Sequence, residues 1–70
     1  MRPVEISASV LASDFTRLGE QVREASDAGA ERIHVDIMDG RFVPVITFGP
    51  AVVEAVRRST NAIVEAHLMV

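Results

Sequence analysis

The stretch Arg32-Ile33-His34-Val35-Asp36-Ile37-Met38-Asp39-Gly40-Arg41-Phe42-Val43-Pro44 decides how the rest of the chain is read. From Arg32 to Met38 it alternates, with Ile33, Val35 and Ile37 facing one way and His34, Asp36 and Met38 the other. A period of two marks a β-strand, because successive side chains leave opposite faces of a sheet. Asp39-Gly40 is a turn signal, and a loop rich in breakers follows through Pro44 to Gly49-Pro50.

Toward the N-terminus, Val4 to Val10 alternates around Ile6, Ala8 and Val10, with Ser7 and Ser9 on the other side, and predicts a further strand. Between the two, Ser13 to Ala28 changes period. Phe15, Leu18, Val22 and Ala25 line one helical face, Ser13 or Thr16 is the expected cap, and Gly29 is the stop. Toward the C-terminus, Pro50 suits a first helical turn, where its missing N–H would be unbonded anyway. That helix is expected to run to about Arg58, with Val52, Val53 and Val56 as its buried stripe and with Arg57 and Arg58 as a solvated end that suits the helix dipole. Ala62 to Val70 then predicts a third strand, with Val64, Ala66 and Leu68 on one face and Ile63, Glu65, His67 and Met69 on the other.

The order strand, helix, strand, helix, strand implies an α/β fold of parallel βαβ units with right-handed crossovers. Both helices then fall on one face, leaving Ser7, Ser9, His34, Asp36, Glu65 and His67 on an open one. Parallel sheets are normally covered on both faces, so residues 1–70 are expected to be one piece of a larger domain. An unpaired third strand and an uncovered face also favour a homo-oligomer.

Composition narrows the classes. Seventy residues hold at most one small domain, and a chain this short removes only about 60% of its unfolded surface from water. With 49% hydrophobic residues but only three Phe and no Trp or Tyr, the core must be aliphatic. The absence of cysteine excludes disulfides and thiolate metal sites. Seven basic residues against ten acidic ones, for a net charge of -3, leave no basic block for a phosphate backbone, so nucleic acid is not expected as a partner. Met1-Arg2-Pro3-Val4-Glu5 opens no apolar run suited to a leader, and no stretch approaches the roughly 20 apolar residues of a membrane span. The expected compartment is the cytoplasm.

His34 and Asp36 share a strand face, and His67 has a matching place on the third strand. If the two strands are parallel neighbours about 4.8 Å apart, two imidazoles and a carboxylate converge within reach of one metal ion. That donor set suits Zn²⁺ and also Fe²⁺, Mn²⁺ or Co²⁺. Blander roles compete: a hydrogen-bonded structural His, a capping Asp, Ser7 and Ser9 as small fillers, and Met38 and Met69 as flexible core residues rather than a pocket lining. Glu65 is either the partner of a His or a solvated side chain.

Taken together, Ile6-Ser7-Ala8-Ser9-Val10-Leu11-Ala12-Ser13-Asp14-Phe15, the stretch from Ile33 to Pro44, Ile46-Thr47-Phe48-Gly49-Pro50 and Ala66-His67-Leu68-Met69 resemble the N-terminal third of the ribulose-phosphate 3-epimerase family. The resemblance implies a (β/α)₈ TIM barrel with its active site at the C-terminal ends of the strands. It implies a divalent metal, most commonly zinc, held by residues matching His34, Asp36 and His67, together with an aspartate from a late strand. Asp36 would be one of two acid/base carboxylates, Ser9 would contact a sugar phosphate, and Met38 and Met69 would line the site beside His34 and His67. The implied reaction interconverts D-ribulose 5-phosphate and D-xylulose 5-phosphate by proton abstraction at C3 through an ene-diolate. The rivals are epimerisation of a related ketose phosphate and a non-catalytic, self-associating β/α module. A typical barrel has about 250 residues, so a truncated form without the second aspartate and the phosphate loops is expected. Two positions depart from the family's usual pattern: Val45 stands in place of Asn, and Glu65 in place of Asp.

Overall fold

A computed structural model describes residues 4–70. The expectation resting on Met1-Arg2-Pro3 lies outside the described residues. Three parallel strands form a sheet in sequence order: β1 (Ser7–Ser9), β2 (Arg32–Met38) and β3 (Ile63–Met69). Two helices, α1 (Leu18–Asp27) and α2 (Pro50–Ser59), form the crossovers.

β2 has the predicted bounds, but β1 is shorter than the expected strand from Val4 to Val10. The Ser9 hydroxyl accepts a hydrogen bond from the Leu11 N–H, bending Val10–Ala12 into a 3-10 turn, and the Ser13 hydroxyl donates back to the Val10 carbonyl. These local bonds compete with the ladder and end the strand at Ser9. Ile6 precedes β1 and is exposed, although its backbone carbonyl accepts from the Glu31 and Arg32 N–H groups.

The first helix also starts later than the spacing predicts. Asp14, rather than Ser13 or Thr16, is the capping side chain: it accepts from the Thr16 N–H and closes a second 3-10 turn over Phe15–Arg17. Phe15 therefore leaves the buried stripe and packs its ring edge-on against Phe48, with centroids 5.0 Å apart. Leu18, Val22 and Ala25 keep their predicted face. Gly29 stops the chain's helical course with φ at +114°, a conformation open to glycine because it lacks a Cβ.

The core is aliphatic throughout. Val10, Val22, Ile33, Val35 and Val56 are buried together, with Ala8, Leu18, Ile37, Val52, Val53 and Val64 packed around them. Both helices thus cover the face of the sheet that presents Ile33 and Val35. Arg57 departs from its reading as a solvated end, since its guanidinium donates to the Thr60 and Ala62 carbonyls at 2.6 and 2.8 Å. It thereby ties the last turn of α2 to the start of β3. Arg58 does lie on the surface, paired with Glu54. The Ser26 and Thr60 hydroxyls hydrogen-bond to each other, joining the ends of the two helices. Among the described residues no helix is long and apolar enough to cross a membrane.

Val56 is fully buried at the junction of α2 with the sheet. Its truncation removes two methyl groups and leaves a void, so Val56→Ala is expected to lower the unfolding free energy by about 2 kcal/mol. Urea denaturation followed by circular dichroism measures this, and an unchanged midpoint would contradict the packing described.

Candidate metal centre

Parallel pairing in register places like-facing residues of neighbouring strands side by side. Across β2 and β3 the partners are His34 with Glu65, Asp36 with His67 and Met38 with Met69; across β1 and β2 they are Ser7 with Arg32 and Ser9 with His34. All of these side chains leave the sheet on the face opposite the helices.

The convergence expected of His34, Asp36 and His67 is present: each offers a ligand atom, and these atoms lie within 4.8 Å of one another. Asp36 Oδ1 sits at the centre, 2.9 Å from His34 Nε2 and 3.2 Å from His67 Nδ1. Donors about 2.0 Å from a tetrahedral ion are about 3.3 Å apart, so these separations fit a shared cation with small adjustments. The Asp36 side chain is 14% exposed, His34 30% and His67 57%, which leaves the cluster reachable from solvent.

Beneath this cluster lies a second polar layer. Glu65 Oε1 is 3.0 Å from His34 Nδ1 and accepts the Ser7 hydroxyl at 2.7 Å. Arg32 approaches the other Glu65 oxygen at 3.6 Å, and its Nε donates to Glu5 at 2.7 Å. Of its two sequence readings, Glu65 therefore takes that of a histidine partner. Its carboxylate raises the His34 pKa above the ordinary value, a shift opposed by partial burial and assisted by Asp36. The Ser7 hydroxyl, followed by His34, holds the Glu65 pKa below its ordinary value.

Ser9 stands at the rim, with its hydroxyl 3.5 Å from Asp36 Oδ2 and engaged as the cap of the following turn. Met38 and Met69 are half-buried neighbours at the C-terminal end of the same face.

Thr47 is a contributor that spacing did not single out. Its hydroxyl accepts from the Met38 N–H at 2.9 Å and donates to the Asp36 carbonyl at 2.6 Å, while its own N–H donates to the Met38 carbonyl. The loop is thus fastened to β2 beside Asp36. In the sequence Thr47 is a hydroxyl residue between apolar ones in a breaker-rich loop, within the Ile46–Pro50 segment that carries the family resemblance but with no role assigned to it. At the loop's start, Asp39 accepts from the Arg41 and Phe42 N–H groups, and Gly40 has φ at +77°. A Cβ on Gly40 would also meet Ile46 at 2.7 Å. Val45 is half exposed on this loop.

The Ribulose-phosphate 3 epimerase family matches residues 5–70. The chain belongs to the ribulose-phosphate 3-epimerase family. It is 49% identical over 67 residues to a ribulose-phosphate 3-epimerase of Synechocystis sp., covering 96% of this chain and 29% of that protein. It is 52% identical over 65 residues to a chloroplastic ribulose-5-phosphate-3-epimerase of Arabidopsis thaliana, covering 93% of this chain and 23% of that protein. With a ribulose-phosphate 3-epimerase of Bacillus subtilis the identity is 45% over 67 residues, covering 96% and 31%. The chain therefore spans less than a third of the length of these ribulose-phosphate 3-epimerases.

The loop that borders the centre carries a pH signature. Donation from the Phe42 and Arg41 N–H groups holds the Asp39 carboxyl below its ordinary pKa of 3.8. The stability contributed by this turn is present above that ordinary value and is lost as the pH falls through the lower folded one. Asp39→Asn retains an acceptor oxygen but does not titrate. Its thermal midpoint is expected to fall less steeply than the native one below about pH 4. Parallel acid limbs for the two proteins, measured by melting between pH 7 and pH 2, would contradict this role of Asp39.

Proposed function

We propose that residues 1–70 form the N-terminal portion of a (β/α)₈ barrel that interconverts D-ribulose 5-phosphate and D-xylulose 5-phosphate. The observation that carries this reading is the meeting of His34 Nε2 and His67 Nδ1 on Asp36 Oδ1 at one face of adjacent parallel strands. Family membership of the chain supplies the substrate class.

In this reading His34, Asp36 and His67 hold a divalent cation, with zinc the first choice for two imidazoles and a carboxylate. When bound, that ion supplies positive charge to stabilise the ene-diolate formed when the carbon beside a ketone loses its proton. Asp36 is the group that removes the proton at C3 or returns it, aided by its low exposure and by the fixed carbonyl that Thr47 holds. Ser9 offers a hydroxyl to the sugar phosphate, and Met38 and Met69 line the apolar side of the pocket. Inversion requires a second acid/base on the opposite face of the substrate; this reading assigns it, together with the phosphate-binding loops, to sequence outside these 70 residues.

Two measurements test the proposal. Deuterium exchange at C3 of D-ribulose 5-phosphate in D₂O, followed by NMR with zinc present, is expected to fall by at least about 10²-fold in Asp36→Asn. Exchange undiminished in the variant would overturn Asp36 as the proton-transfer group. Zinc is also expected to raise the native melting temperature, and His67→Ala should abolish the rise. An equal shift in both proteins would refute the metal site.

A self-associating module is the rival from another class. It draws support from the helix-side edge of β3, where Leu68, 66% exposed, lines an apolar groove with Ile37, Val53, Val64 and Ala66. The same experiment separates the two readings: a chain that neither exchanges the C3 proton nor takes up zinc favours the module.

A further inference from the structure

Every ring nitrogen of His34 faces a carboxylate, and the two carboxylates differ in situation. Nε2 faces the point where Asp36 and His67 meet, whereas Nδ1 faces Glu65 at 3.0 Å, away from that point. Only Nε2 is placed to join the other two donors. A half-turn of the ring would exchange each nitrogen with a carbon, and an unsupported imidazole has little to choose between the two orientations or between its two neutral tautomers.

Asp36 engages Nε2 and Glu65 engages Nδ1, so once a cation takes Nε2 the acceptor for the ring's remaining proton is Glu65, which is itself held on several sides. Register sets it directly opposite His34 on the neighbouring strand. Ser7 on β1 donates to the same oxygen that faces His34, Arg32 on β2 lies 3.6 Å from the other oxygen, and Glu5 fixes Arg32 in turn. The carboxylate thus belongs to a network drawn from all three strands.

We infer that Glu65 is a positioning residue for the metal centre: it accepts the Nδ1 proton of His34, fixing the ring's orientation and tautomer so that Nε2 is presented to the cation. The inference rests on the metal reading of His34, Asp36 and His67 given above. Acceptors behind a metal-binding histidine commonly govern affinity by 10- to 100-fold, because they orient the ring and raise its basicity.

The test uses the purified chain with zinc as the probe. Zinc affinity is measured by competition with a chelator, and the His34 ring is followed by long-range ¹H–¹⁵N NMR with and without zinc. Glu65→Ala is expected to weaken zinc binding by about 10- to 100-fold. With zinc on Nε2 the native ring's proton should sit on Nδ1; in zinc-free Glu65→Ala the neutral ring should carry its proton on Nε2, the nitrogen that still faces Asp36 Oδ1. Glu65→Gln keeps an acceptor oxygen and should restore most of the affinity and the native spectrum, a rescue that loss of packing alone does not predict. Glu65→Met fills the same space without an acceptor and gives the same reading should the smaller side chain unfold the edge strand.

Zinc affinity within twofold of native in a folded Glu65→Ala or Glu65→Met, with the His34 spectrum unchanged, would overturn the inference and leave the metal site standing. If the native chain binds no zinc, the metal reading fails instead. The zinc-free spectra then decide on Glu65: loss of the Nδ1–H signal in Glu65→Ala or Glu65→Met upholds its hold on His34, and an unchanged signal in both overturns it.

Discussion

The in-register parallel pairing of β2 with β3 is the constraint on which the rest of the site depends. It sets a histidine opposite a carboxylate twice, His34 facing Glu65 and Asp36 facing His67, and so stacks two polar layers on one side of the sheet. A slip of one residue would turn His67 and Glu65 toward the helices and bring Val64, Ala66 and Leu68 to the open face. Neither layer would survive it. The register is held from the other side by aliphatic packing, since Ile33 and Val35 are buried beneath Val22 and Val56 only when this face of β2 points toward the helices.

Core and site are therefore two sides of one alternation. The buried side has no polar member among the described residues and relies on shape and apolar burial. The open side places acids and imidazoles within hydrogen-bonding distance, where each lowers the cost of holding the next in a fixed orientation. Asp36 joins the sides mechanically as well as chemically. Its carboxylate is shared by two histidines, and its carbonyl is gripped by Thr47, so the loop after β2 cannot move freely without disturbing the residue at the centre.

The elements whose periodicity is undisturbed were legible with little error. β2 has its predicted bounds, β3 differs by a residue at each end, and α2 begins at Pro50 as its position implied. Errors gathered between Val4 and Arg17, where serines, an aspartate and a threonine offer the backbone local hydrogen bonds that periodicity does not register. Three of those side chains shortened β1 and delayed α1 in favour of two 3-10 turns. At Arg57 the sequence shows a favourable helix-end charge, but the carbonyls beyond the helix that accept its hydrogen bonds depend on how the chain turns toward β3.

The sequence by itself determined the alternation of strands and helices, an aliphatic core and the presence of His34, Asp36 and His67 on one face, because side-chain parity and helical period are local properties of the chain. Its motifs also carried the family. Only the tertiary structure decided that Glu65 stands behind His34, that Arg32 and Ser7 brace Glu65, and that Thr47 holds the Asp36 carbonyl. Those contacts join residues up to 58 positions apart. They arise from strand register and loop course, which follow from packing the two helices against the sheet rather than from any spacing along the chain.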